Sequence, residues 1–209
     1  QQAPSLHHDI QAQDAAALHA ELSLDAPFAE GMFFPDTYQY RRGDSDRDLL
    51  LRAYAAMQEK VDEAWQARRG EVHINSHAEL VILASIIEKE TGLASDRGQI
   101  SQVFHKRLAE RMLLQTDPTV IYALGKAFDG NLTRAHLKIA SPFNTYRTRG
   151  LPPTPIALPS QASLLAAAQP AEGDYLYFVA KGNGASQFSR TLEEHNQAVR
   201  RYQLGQGSN

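Results

Sequence analysis

Two glutamates, Glu88 and Glu90, stand one residue apart at the end of an almost wholly apolar run, ASIIEKETG over residues 84–92. An ionised carboxylate in apolar surroundings is costly unless it is paired or takes up a proton. A carboxyl group held that way keeps its proton to near neutral pH and can then donate it, which is what a general acid must do. On a regular helix, positions 88 and 90 are rotated by about 200° from one another, so only one of them can enter a given cleft. Glu90 shares a face with Leu83, Ile86 and Ile87, and Glu88 lies nearer to Val81 and Ala84. The helix is apolar on nearly every side, so periodicity alone does not choose between them. The competing role for either is an ion pair with Lys89, Arg97 or Arg107, or a solvated place at the helix end.

A second carboxylate, Asp117, stands in QTDPT directly before Pro118, where it reads equally well as a helix N-cap. Other signals carry less chemistry. His73 and His77 have the spacing of a metal pair, but the helix start expected at Ser76 falls between them, so no metal site is assigned. GNG at 182–184 lacks the following helix of a phosphate loop and reads as a hairpin turn. No serine sits in a nucleophile elbow.

These residues must be positioned by the surrounding elements. A helix follows RRGDSD, with Leu50, Tyr54, Met57, Val61 and Trp65 at three- and four-residue intervals up to Gly70. SHAE is read as a capping box opening a second helix at Ser76, which should stop at Gly92 and carries both glutamates. A third helix is expected from Asp96 to Met112, with Ile100, Val103, Phe104 and Leu108 inward. A short fourth should run from an Asp117 cap to Gly125. The proline-rich stretch 141–160 reads as an ordered extended loop, and Ser160 as the cap of a helix to Ala168. DYLYFVAK and QFSR form a hairpin, and TLEE opens a terminal helix. The sum is an α+β fold: a helix-rich domain with a small, mainly antiparallel sheet.

The 209 residues are 43% hydrophobic and 22% charged, with a net charge of −3. That describes a chain able to build a core, without the basic footprint of a nucleic-acid binder. Zero cysteines exclude disulfides, thiolate zinc sites and cysteine nucleophiles, and leave the compartment open. No apolar run reaches the roughly 18 residues of a membrane span.

Five blocks, in order, carry a resemblance: EGMFFPDTYQY at 30–40, LASIIEKET at 83–91, RLAERMLLQTDPTVIYALG at 107–125, NTYRTRGLPP at 144–153 and YLYFVAKGNGASQFSRTLEEHN at 175–196. They resemble the YceG-like family of endolytic murein transglycosylases (MltG). The resemblance implies a catalytic domain over residues 28–203, preceded by a remnant or linker of another module at 1–27 and followed by a disordered tail at 204–209. It implies a lytic transglycosylase that cleaves inside peptidoglycan glycan strands, with Glu90 as the catalytic acid. Gln115, Thr116 and Asp117 are then expected to line the cleft. Asn144, Thr145 and Tyr146 would meet the sugar's polar groups from the rigid loop. Among the aromatics Phe33, Phe34, Tyr38 and Tyr122, Phe34 is taken as a sugar-stacking residue, although large aromatics are more often core.

No metal or cofactor is implied. Partners would be glycan strands and, by analogy, the glycan synthases that make them. The location would be the periplasmic face of the bacterial inner membrane, with an anchor in the full-length protein. A noncatalytic murein-binding module, a lysozyme-like hydrolase pairing Glu90 with Asp117, and a pyridoxal-phosphate lyase using Lys89 are the rivals. The usual family pattern GLPPGPIANPG differs here at Thr154, Leu158 and Ser160.

Overall fold

The structure, a computed structural model, describes residues 6–205. Seven α-helices, α1 (Ala15–Leu22), α2 (Asp46–Gln66), α3 (His77–Glu90), α4 (Ala94–Ala109), α5 (Asp117–Leu124), α6 (Gln161–Ala168) and α7 (Leu192–Tyr202), accompany one antiparallel hairpin, β1 (Tyr177–Ala180) and β2 (Ser186–Ser189). The expected helix-rich α+β architecture is present. The tail expected from residue 204 lies outside the described residues beyond Gly205.

Helix α3 is the axis of the core. Leu80 through Ile87 are all buried, as its apolar composition on every face requires. α2, α4, α5 and α6 pack around it. The Ala-rich α6, with Ala166, Ala167 and Ala168 buried, has no bulk to hold its neighbours apart. Phe104 on α4 and Met57 and Val61 on α2 complete the main cluster. A smaller cluster of Leu22, Leu24 and Ala29 joins α1 to Leu50, Leu51 and Tyr54 of α2. The hairpin and α7 pack on each other, and β1 also rests on α4.

Local chemistry starts most of these helices. Ser76, Ser160 and Thr191 each accept a backbone N–H from three residues on, and Thr191 with Glu194 forms the expected capping box. The box expected at Ser76 is replaced by a longer reach: Glu79 accepts from the Asn75 N–H at 2.6 Å rather than from the cap residue. Several helix ends also differ from expectation. α2 stops at Gln66, four residues before Gly70, and α3 stops at Glu90 with Thr91 extended.

α4 ends three residues early because Arg111 takes a left-handed conformation, φ 53°, closing a Schellman motif. There the Met112 N–H bonds Arg107 O at 2.8 Å and the Arg111 N–H bonds Leu108 O at 3.1 Å. At α5 the N-cap is Thr116, not Asp117. The loop decides this: the Thr116 N–H donates to Thr145 Oγ1 at 3.1 Å, fixing Thr116 in extended backbone and leaving Asp117 in the first turn.

Candidate active site

The proline-rich loop is fastened to one face of α3. Ser85 Oγ accepts the Ile156 N–H at 3.0 Å, and three residues on Glu88 Oε2 accepts the Ser160 N–H at 3.0 Å and its hydroxyl at 2.6 Å. Glu88 therefore serves the loop, and Ser160, where the family pattern has glycine, adds its hydroxyl to the backbone N–H as a second donor. Leu158, another of the three departures, is 40% exposed. Burial pushes the Glu88 carboxyl up, but the Ser160 and Ser163 hydroxyls and the Ser160 N–H outweigh it and hold the group below its ordinary value.

Glu90, on the opposite side of the helix, has a different environment. It is half-buried and borders a cleft of about 540 Å³ that is also lined by Arg107, Gln115, Asp117, Tyr146, Tyr177 and His195. One donor reaches it, the Thr116 hydroxyl, on Oε1. Burial is the largest influence on its carboxyl and the Asp117 charge adds to it. The Thr116 hydroxyl and the Arg107 charge oppose them, and the group is pushed up to about 7. No ion pair forms between either glutamate and Lys89, Arg97 or Arg107 among the described residues. Arg107 is instead buried and donates to three carbonyls, Leu176 O at 2.7 Å, Leu114 O at 2.8 Å and Leu113 O at 3.2 Å.

Asp117 and Tyr146 form a second polar pair in the same cleft, the Tyr146 hydroxyl donating to Asp117 Oδ1 at 2.5 Å. Burial, then the Asp117 carboxylate, push the Tyr146 phenol well above its ordinary range, so it stays a donor. Gln115 is exposed with φ 51° and its N–H donates to Thr145 O at 3.1 Å, a left-handed backbone that a non-glycine residue adopts only when its surroundings impose it.

Two residues expected at the sugar surface are enclosed. Asn144, 0% exposed, donates its amide to Leu137 O and Ile139 O and accepts the Tyr146 N–H on Oδ1 at 3.0 Å. Thr145, 1% exposed, ties its hydroxyl to the Thr116 N–H and to Thr119 Oγ1. Both hold the loop against α5 and orient Tyr146 and Thr116; they do not line the cleft. Thr116 is itself buried and reaches Glu90 rather than the cleft. Phe34 packs on the main core and is not among the cleft residues either. Besides Tyr146, the cleft is lined by Tyr177, Phe178, Val179 and Ala180 along β1 and by His195, Asn196 and Val199 on α7. Sequence reasoning named none of these individually. Their signal was the polar pair His195–Asn196 on a helix that directly follows an aromatic hairpin.

A hollow of about 570 Å³ elsewhere is lined by His73, His105 and Glu172. Its buried His105 is already bonded at both ring nitrogens, to the His73 N–H and to Ala167 O, so that imidazole is not free for chemistry.

The cleft therefore brings together one protonatable carboxyl group, a carboxylate tied to a phenol, and an aromatic wall. It can give a proton to a bound oxygen and take one back. Comparisons with known proteins agree with the blocks quoted above. The chain is 41% identical over 173 residues to an endolytic murein transglycosylase of Bacillus subtilis, covering 83% of this chain and 48% of that protein. It is 31% identical over 177 residues to the endolytic murein transglycosylase of Streptococcus pneumoniae, covering 81% of this chain and 31% of that one. The chain thus spans about half the length, or less, of the curated relatives it matches. A crystal structure of a YceG-like protein from Listeria monocytogenes superposes with a TM-score of 0.66 at 37% identity, over 80% of this chain and 53% of the other. The profile of the YceG-like family matches residues 2–201, nearly the whole chain, and the chain belongs to that family.

Proposed function

We propose that this domain cleaves peptidoglycan glycan strands internally as a lytic transglycosylase, with Glu90 as the acid and base. The observation that carries the reading is a carboxyl group on the cleft that, among the described residues, has a single hydroxyl donor and no paired cation, a setting that pushes it up to about 7. Protonated Glu90 gives its proton to the glycosidic oxygen linking N-acetylmuramic acid to N-acetylglucosamine, and the bond from that oxygen to muramoyl C1 breaks. The resulting carboxylate then takes the proton of the muramoyl C6 hydroxyl, whose oxygen bonds to C1. Glu90 ends protonated, no water is consumed, and the product carries a 1,6-anhydro end.

A hydrolase would need a second carboxylate free to act as nucleophile or base, about 5 to 10 Å from the first. Asp117 is the candidate, but it is occupied by the Tyr146 hydroxyl, which favours its acting on Glu90 through charge. The family's action inside strands suits a role in ending nascent glycan chains beside the synthases that extend them, on the periplasmic face of the inner membrane. No described helix is long and apolar enough to cross a membrane, so attachment there would depend on other parts of a longer protein.

Digestion of purified murein with the wild type, Glu90→Gln and Glu88→Gln, followed by mass spectrometry of the products, tests the reading. The wild type and Glu88→Gln release 1,6-anhydro-muropeptides and Glu90→Gln does not. Reducing muramic ends would make the enzyme a hydrolase, and glycan retention without any cleavage would make it a binding module.

A further inference from the structure

Three side chains that line the same cleft as Glu90 gather around one ring. The Arg107 guanidinium carbon lies 5.2 Å from the centroid of the Tyr177 ring, and the His195 imidazole stacks on the same ring at 5.2 Å with an interplanar angle of 24°. All three line the cleft. The Nδ1 of His195 is buried and has no hydrogen-bond partner among the described residues. A buried N–H without an acceptor is costly, and a bare lone pair beside a fixed cation is less so. The Arg107 charge therefore favours the tautomer with Nδ1 unprotonated and the proton on Nε2. Burial, then that same charge, hold His195 below its ordinary value, so it does not compete with Glu90 as an acid near neutrality.

We propose that His195 donates Nε2–H to an acceptor oxygen, a hydroxyl or acetamido carbonyl, on an N-acetylated sugar held opposite Glu90, and so orients the glycan strand in the cleft. The inference rests on the glycan-cleaving reading above. Tyr177 supplies the flat apolar surface that fixes the imidazole plane, and Arg107, immobilised by three carbonyls, fixes the tautomer. The residue adds no proton transfer. Its effect is on binding and alignment, one neutral hydrogen bond in a partly desolvated site.

The test separates a donor from a packing ring. His195→Phe keeps a flat ring against Tyr177 and removes the donor, whereas His195→Gln returns an N–H near the position of Nε2. Each is combined with Glu90→Gln, and binding of purified uncrosslinked glycan strands is measured by titration calorimetry. In the Glu90 background KM and kcat for murein digestion are read in parallel, with thermal midpoints for every variant. The Phe variant weakens binding and raises KM by roughly 5- to 10-fold at an unchanged midpoint, and the Gln variant recovers most of that loss. Wild-type binding by the Phe variant, or a Gln variant as weak as Phe, overturns the role of His195 while leaving the enzyme reading intact. If the parent chain neither binds glycan nor yields anhydro ends, both readings fall together.

Discussion

Replacing Glu90 by glutamine should stabilise the protein, and only above the pH at which an exposed glutamate ionises. In the folded chain burial and the neighbouring Asp117 charge lift the Glu90 carboxyl to about 7, from an ordinary value of 4.5. A group whose folded value is raised contributes its full stability below the unfolded value and loses it as pH rises through the folded one. For Glu90 the loss begins near pH 4.5 and is nearly complete a little above pH 7. At about 1.4 kcal/mol per tenfold change in proton affinity, the interval corresponds to roughly 3 kcal/mol, an upper value because the side chain keeps some surface toward the cleft.

Glutamine carries no charge, retains a carbonyl oxygen to accept from the Thr116 hydroxyl, and has nearly the same shape. The difference between Glu90→Gln and wild type should therefore be small at pH 4.5 and grow with pH to at most about 3 kcal/mol by pH 8. For a chain of this length that is a rise of at most roughly 6 to 12 °C in thermal midpoint. Urea denaturation of both proteins at half-unit steps from pH 4.5 to 8 measures it, and titrating groups not coupled to Glu90 cancel in the difference. A difference that is flat with pH, or a glutamine variant less stable at pH 8, would refute the claim that burial and the Asp117 charge raise the Glu90 carboxyl. The assay needs no glycan, so it tests the electrostatics apart from the reaction.

Two further outcomes follow from the same geometry. Asp117→Asn keeps an oxygen for the Tyr146 hydroxyl but removes the charge that helps raise Glu90; the alkaline limb of the pH–rate profile for anhydro-muropeptide release, set near pH 7 in the wild type, should move to lower pH, and an unmoved limb would show that Asp117 does not act on the acid. Asn144→Ala strands the partly buried carbonyls of Leu137 and Ile139 and the Tyr146 N–H, so it should lose about 1 to 3 kcal/mol of stability in urea denaturation, whereas a residue that merely touched sugar would leave stability unchanged.

Three helix starts are legible in the sequence because a cap is a local event, whereas the α5 cap moves from the expected Asp117 to Thr116 and α4 opens at Ala94 and not Asp96. Ser76, Ser160 and Thr191 each bond an N–H three residues on, and no distant part of the chain is needed. The stop of α4 was not, since Arg111 in a left-handed conformation carries none of glycine's signal. Asn144 and Thr145 were misread for a different reason. A polar residue on a proline-rich loop has the same composition signal whether it faces a ligand or satisfies buried carbonyls, and only the fold shows which. Arg107, Tyr177 and His195 come together from α4, β1 and α7, a meeting between positions up to 88 residues apart that no local pattern encodes.

The two glutamates show how far a helix alone can specify a site. Residues 88 and 90 have the same side chain and the same apolar helix beneath them, so the sequence leaves them equivalent. Donor supply from elsewhere distinguishes them. Ser160, seventy-two positions on, gives Glu88 two hydrogen bonds, and these, with the Ser163 hydroxyl and the Arg97 charge, hold it below its ordinary value despite its burial. Glu90 receives one hydroxyl and an acidic neighbour, so burial prevails and the proton stays until about pH 7. The loop that lowers one carboxyl also holds, through Asn144 and Thr145, the Tyr146 and Thr116 that surround the other. Loosening that loop should therefore raise the Glu88 carboxyl and disorder the setting of Glu90 together. This is the physical reason that a rigid, proline-rich segment lies beside a helix whose own sequence cannot choose between its acids.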